Sequence, residues 1–176
     1  MHVADAINAR KSIRKYLPDT VEEEKLLKVL EAGRLAPSAS NGQKWKFIVV
    51  REEETRMRLA KACCSQLWVA QAPVILVLCA YEQRDMPCGQ SARTVDCSIA
   101  LSFMMLQAQE LGLSTCWLGA FSNSDVKTLL SIPADADVIA VAPLGYAAEE
   151  GRPRVRKSAE EVFCFERWES QGRVRL

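Results

Sequence analysis

Residues 96–111, Asp96-Cys97-Ser98-Ile99-Ala100-Leu101-Ser102-Phe103-Met104-Met105-Leu106-Gln107-Ala108-Gln109-Glu110-Leu111, are apolar almost all the way round a helix, and Gly112 follows where a C-terminal cap belongs. Such a helix has to be buried on most sides. Before it, residues 74–79 form an apolar run of strand length after Pro73, and a strand apolar on both faces suits the interior of a sheet. After it, the sequence predicts a strand at 114–117, a helix near 124–130 capped by Ser122 or Asn123, and a strand at 138–142. Further out, residues 45–50 read as a strand and 52–64 as a charged helix. Thr20 with Glu23 makes a capping box for a helix whose apolar face is Leu26, Leu27, Leu30 and Leu35 and which ends before Pro37. A short helix at 3–8 opens the chain, and a turn of helix follows the basic stretch 152–157. This interleaving predicts one α+β (mixed α/β layered) domain over residues 1–176, with a central mixed sheet flanked by helices. In a chain this short, so apolar a central helix also predicts a partner subunit, hence a homodimer.

The bulk numbers exclude several classes. A 176-residue chain that is 49% hydrophobic can build a real core. With 23 Lys and Arg against 22 Asp and Glu, a net charge of +1 gives no general attraction for nucleic acid or an anionic membrane. The first residues lack the apolar stretch of a signal peptide, and no run of about 18 apolar residues occurs, which predicts a soluble cytoplasmic protein. Seven cysteines without a CxxC pair are expected to be reduced and mostly buried. His2 is the only histidine, so Ser-His-Asp or Cys-His catalysis is not expected, nor is a His/Cys metal site. Neither GxGxxG nor GxxxxGK[ST] is present.

Two features carry possible chemistry. Arg10, Lys11 and Arg14 with Ser12 lie near the start, and Arg154, Arg156 and Lys157 near the end. Brought together, they would form a phosphate site of guanidinium forks and a hydroxyl; apart, they are solvated charge. The loop Pro37-Ser38-Ala39-Ser40-Asn41-Gly42-Gln43 offers small side chains that admit a planar ligand, and two amides that both donate and accept. It reads equally well as an ordinary turn.

In order along the chain, Arg10-Lys11-Ser12-Ile13-Arg14-Lys15-Tyr16, Pro37-Ser38-Ala39-Ser40-Asn41-Gly42-Gln43-Lys44-Trp45, Gly112-Leu113-Ser114-Thr115-Cys116-Trp117-Leu118-Gly119, Gly145-Tyr146 and the closing arginines resemble the nitroreductase family of flavoproteins, over about residues 4–168. The resemblance implies the nitroreductase fold as an intertwined homodimer that holds FMN between its subunits. It assigns the FMN phosphate to Arg10, Lys11, Ser12 and Arg14, joined by Arg154 and Arg156. Pro37, Ser38, Ala39, Asn41 and Gln43 would contact the flavin from the other subunit, and Cys116, Leu118 and Gly119 would face its ring edge. The tail 167–176 is expected over the partner.

By the same resemblance the flavin N5 carries the chemistry and no catalytic side chain is required. NAD(P)H would give it a hydride and leave, and a nitroaromatic, quinone or related small acceptor would then take the electrons, a ping-pong scheme. Lys11, Arg14 or Lys44 would supply positive charge at the N1/O2 edge. The alternatives are a relative with another flavin reaction, namely dehydrogenation, reductive dehalogenation or flavin breakdown, and a non-catalytic flavin-binding redox module. One residue departs from the family pattern: Lys44 stands where Pro usually precedes the Trp, which frees φ and restores a backbone donor. Trp45, Trp117 and Trp168 are expected in core or interface packing, and Cys116 as a packed strand thiol.

Overall fold

The computed structural model describes residues 2–152 and 154–168. The elements are α1 (Val3–Ala9), α2 (Glu23–Arg34), β1 (Trp45–Val50), α3 (Glu53–Ala62), β2 (Val74–Ala80), α4 (Ala92–Glu110), β3 (Ser114–Thr115), α5 (Asn123–Leu129), β4 (Asp137–Gly145) and α6 (Ala159–Val162). The sheet runs β1-β2-β4-β3, and every ladder is antiparallel. Its parallel component is a single bridge, Ser12 to Thr115, where the N-terminal segment lies beside β3.

β2 occupies an interior position and is buried at all seven residues, as a strand apolar on both faces requires. Val74, Leu76, Leu78 and Ala80 face the α4 side, while Ile75, Val77 and Cys79 face α3 and α5. α4 is pressed between the sheet and α2, with Ala100, Leu101, Met104 and Ala108 fully enclosed. Val29 and Gly33 of α2 meet it so closely that a methyl on Gly33 would lie 2.0 Å from Met104 Cε. The chain itself therefore covers two sides of α4. What remains outward is a strip through Ser102, Phe103 and the half-buried Leu106, with Phe103 43% exposed.

Four details differ from the sequence reading. Thr20 does not cap α2; Glu22 is its N-cap residue and gives no side-chain cap bond. The Glu22 carboxylate is drawn instead to the Tyr146 hydroxyl, which donates to it at 2.6 Å, and to Lys25 at 3.0 Å; these partners hold it at a pKa of about 2. Leu27 and Leu35 are exposed, because the face of α2 turned to α4 is Leu26, Val29 and Gly33. α4 begins four residues before Asp96, since residues 84–92 close on themselves by a bridge between Asp85 and Ser91 and deliver the chain straight into helix. β3 stops at Thr115; Cys116 and Trp117 leave the ladder, and Leu118 rejoins it through a bridge to Val141.

Cys63, Cys79, Cys97 and Cys116 are buried, and Cys64, Cys88 and Cys164 exposed. Burial raises the first two thiols to about 11 and Cys97 to about 12, so almost no nucleophilic thiolate exists there at neutral pH. Maleimide treatment of the native protein is expected to modify Cys88 and spare Cys63, Cys79, Cys97 and Cys116. Peptide mass spectrometry showing Cys97 labelled as fast as Cys88 would contradict the packing.

Candidate functional site

The N-terminal basic segment is bound along its length to the stretch that follows β4. Ile13 N–H donates to the Thr115 carbonyl at 3.1 Å, and the Ile13 side chain is buried beside Tyr16, whose hydroxyl donates back to the Ile13 carbonyl at 2.8 Å. Leu17 N–H donates to Tyr146 O and Ala148 N–H to Lys15 O, both at 2.9 Å, while Arg14 N–H donates to Glu149 Oε1 at 3.0 Å. Lys11 Nζ donates to the Glu150 carbonyl at 3.0 Å. Gly151 follows with φ of +71°, and a Cβ there would lie 2.8 Å from Ile13 Cδ1, so glycine is required at this crossing.

Arg154 then donates from Nη2 to Ser12 Oγ at 3.3 Å. The result is a cavity of about 610 Å³ lined by Arg10, Ser12, Arg154 and Arg156, with Met105, Leu106 and Trp117 as apolar wall. No described carboxylate forms an ion pair with any of these arginines. Burial and then the neighbouring Arg154 and Arg156 lower the pKa of Arg10, and burial and then Arg156 lower that of Arg154. Uncompensated cations sharing a partly desolvated pocket are what an anion with several oxygens neutralises best.

Not every predicted phosphate ligand points inward. Lys11 is engaged with Glu150, and the Arg14 guanidinium lies 5.8 Å from the centre of the Trp68 ring. Cys116 is buried below the cluster, where burial raises its thiol more than Arg14, Ser12, Arg154 and Arg10 lower it. Leu118 is buried in the core, while Gly119 lies open, with nothing within 4 Å of where a side chain would begin.

The loop 37–43 lies near the other end of α4. Ala39 N–H donates to Oδ1 of the buried Asp96 at 2.9 Å, and Gln43 N–H to Ser38 Oγ at 3.1 Å. Ser40, Asn41 and Gln43 all take positive φ, from 51° to 53°, so the loop is held in a costly shape by contacts outside itself. From Asp96 to Met105 is nine residues, roughly 14 Å along α4, and no residue of the loop lines the arginine pocket. A single chain does not bring this loop to its own arginine pocket. Trp117 is 36% exposed and forms pocket wall, Trp45 is buried against Phe47, and Trp168 is 93% exposed. Asp96 escaped the sequence reading, although an acid in so apolar a helix was its signal. A larger recess, about 860 Å³ along α5, has Lys127 as its charged group and no cluster of cations.

The family model of the Nitroreductase family matches residues 7–71 and 64–146. A Thermus thermophilus protein named NADH dehydrogenase is 34% identical over 188 residues, covering 89% of this chain and 92% of its own. The FMN reductase [NAD(P)H] of Bacillus subtilis is 28% identical, covering 98% and 76%. The crystal structure of a nitroreductase family protein from Clostridium difficile 630 superposes with a TM-score of 0.85 at 30% identity, covering 96% of this chain and all of that one. In sequence and in fold, the chain belongs to the nitroreductase family and is an oxidoreductase.

Proposed function

We propose that the chain binds FMN and passes a hydride from NAD(P)H to a nitroaromatic, quinone or related small acceptor, as a cytoplasmic homodimer of single-domain subunits. The observation that carries this reading is the meeting of Arg10 and Ser12 with Arg154 and Arg156 in one cavity without a carboxylate partner. Its volume lies within the roughly 300–1,000 Å³ usual for small-ligand sites. The phosphate would rest on these four residues, with Lys11 and Arg14 flanking. The space beside Gly119 would let the ring edge approach the backbone there, near Cys116 and Leu118.

Bound flavin would supply a two-electron centre at N5, which the side chains on their own lack. The protein's part is to orient the ring and exclude water. Pro37, Ser38, Ala39, Asn41 and Gln43 would contribute from the second subunit, because no residue of one chain's own loop lines its arginine pocket. The outward strip of α4 with Phe103, and the exposed Phe163, Phe165 and Trp168, supply apolar surface for that association. The tail 167–176 would lie over the partner; residues 169–176 fall outside the described residues. No described helix is long and apolar enough to cross a membrane.

The direct test is the absorption spectrum of the purified protein, before and after anaerobic NADH or NADPH. A yellow protein that bleaches and regains colour when a quinone is added is the expected result. A protein that stays colourless after incubation with FMN would end the proposal.

A further inference from the structure

The short loop between β2 and α4 is tied to the loop 37–43 and to Lys44 just after it. Lys44 reaches Glu82 Oε1 at 2.8 Å and lies 5.7 Å from the centre of the Tyr81 ring, while Tyr81 N–H donates to the Lys44 carbonyl at 3.1 Å. Beyond Glu82 the chain closes on itself: Asp85 bridges Ser91, Met86 N–H donates to Gln90 O, and Ala92 N–H donates to Arg84 O at 2.9 Å. Arg84 is therefore fixed through its backbone at the entrance to α4. Its Nη2 donates to Ser40 Oγ at 2.9 Å, at the tip of the amide loop.

Between the two loops is a recess of about 290 Å³ whose charged lining is Lys44, Glu82, Arg84, Arg93 and Asp96. Lys44 is taken by Glu82, and Arg93 by Asp137 at 2.5 Å. Asp96 receives Ala39 N–H. Arg84 alone of these cations has no carboxylate partner among the described residues. A guanidinium with one arm on a hydroxyl keeps its remaining donors for an oxyanion.

We propose that Arg84 is a specificity residue that favours anionic substrates, its guanidinium receiving the carboxylate, sulfonate or phosphate of the molecule that exchanges electrons with the flavin. The assignment rests on the reading above, in which loop 37–43 borders the flavin site. The oxyanion has two possible sources: an acidic acceptor, or the additional phosphate that separates NADPH from NADH.

Both are read in one set of steady-state measurements on flavin-loaded protein, using 4-nitrobenzoate against 4-nitrobenzamide and NADPH against NADH. In Arg84→Gln the kcat/KM ratio of 4-nitrobenzoate to 4-nitrobenzamide, or that of NADPH to NADH, is expected to fall about tenfold, through KM, the modest size reflecting an exposed contact. Arg84→Lys should keep most of the preference, and Arg84→Glu should fall below Arg84→Gln. The pair that moves identifies the source. Ratios unchanged in both pairs, with flavin content intact, overturn the assignment alone. Wild-type protein that takes up no flavin overturns the reading of the site and this assignment with it.

Discussion

Alanine at both Arg10 and Arg154 is expected to weaken FMN binding by about a hundredfold to ten-thousandfold. Each charge-assisted contact contributes roughly 1.5–3 kcal/mol, and the two losses combine incompletely because the residues share one ligand. The protein without flavin should melt no lower than wild type. The same substitutions remove cations that repel one another across the cavity, and forfeit only the 3.3 Å bond from Arg154 to Ser12. Flavin fluorescence titration and thermal melts read the two arms separately. Tight FMN binding in the double variant would place the phosphate elsewhere; a collapsed melt would mean that the arginines hold the fold instead.

Gly145→Ala is expected to cost about 2–3 kcal/mol of stability, lowering the melting temperature by roughly 5–10 °C. Gly145 pairs with Ser114 at the end of β4, and a methyl there would lie 2.6 Å from Pro73 Cδ and 3.3 Å from Tyr16 Cδ1. Neither neighbour can yield cheaply. The Pro73 ring is closed and leads directly into the buried strand β2, and Tyr16 is held by its hydroxyl on Ile13 O. Displacing Tyr16 would also tilt the segment carrying Ser12 and Arg10, so flavin affinity should fall with stability. A melt indistinguishable from wild type would show that this corner is looser than its distances imply.

Much of the architecture was legible because it rests on local signals. The period-free apolarity of α4 and the two-faced apolarity of β2 both appear as buried elements, and of the two caps open to α5 the structure uses Ser122. The errors fall where a distant residue outbids a local rule. Thr20 and Glu23 satisfy a capping pattern, yet Glu22 is the N-cap residue, and Tyr146, far along the chain, holds its carboxylate away from the helix start. Leu27 and Leu35 fall off the i, i+3, i+7 face of Leu26, Val29 and Gly33, a period that the run of leucines hid because one of its members is a glycine.

The candidate site divides in the same way. Arg10, Ser12, Arg154 and Arg156 were legible as a motif order and do converge. Lys11 and Arg14 carry the same charge in the same run, but their directions are set by Glu150 and Trp68. Lys44 was visible as a departure, whereas its engagement with Glu82, and the fixing of Arg84 by the turn that follows, required the folded loop.

The bond from Arg154 to Ser12 spans 142 positions, whereas the last strand ends at Gly145. During synthesis the described sheet can therefore assemble while the anion pocket still lacks Arg154, Val155 and Arg156. On the proposed reading, cofactor loading would wait until residue 156 has cleared the ribosome. A message cut short between these points would yield a chain with the described sheet but only the Arg10 and Ser12 side of the proposed phosphate site.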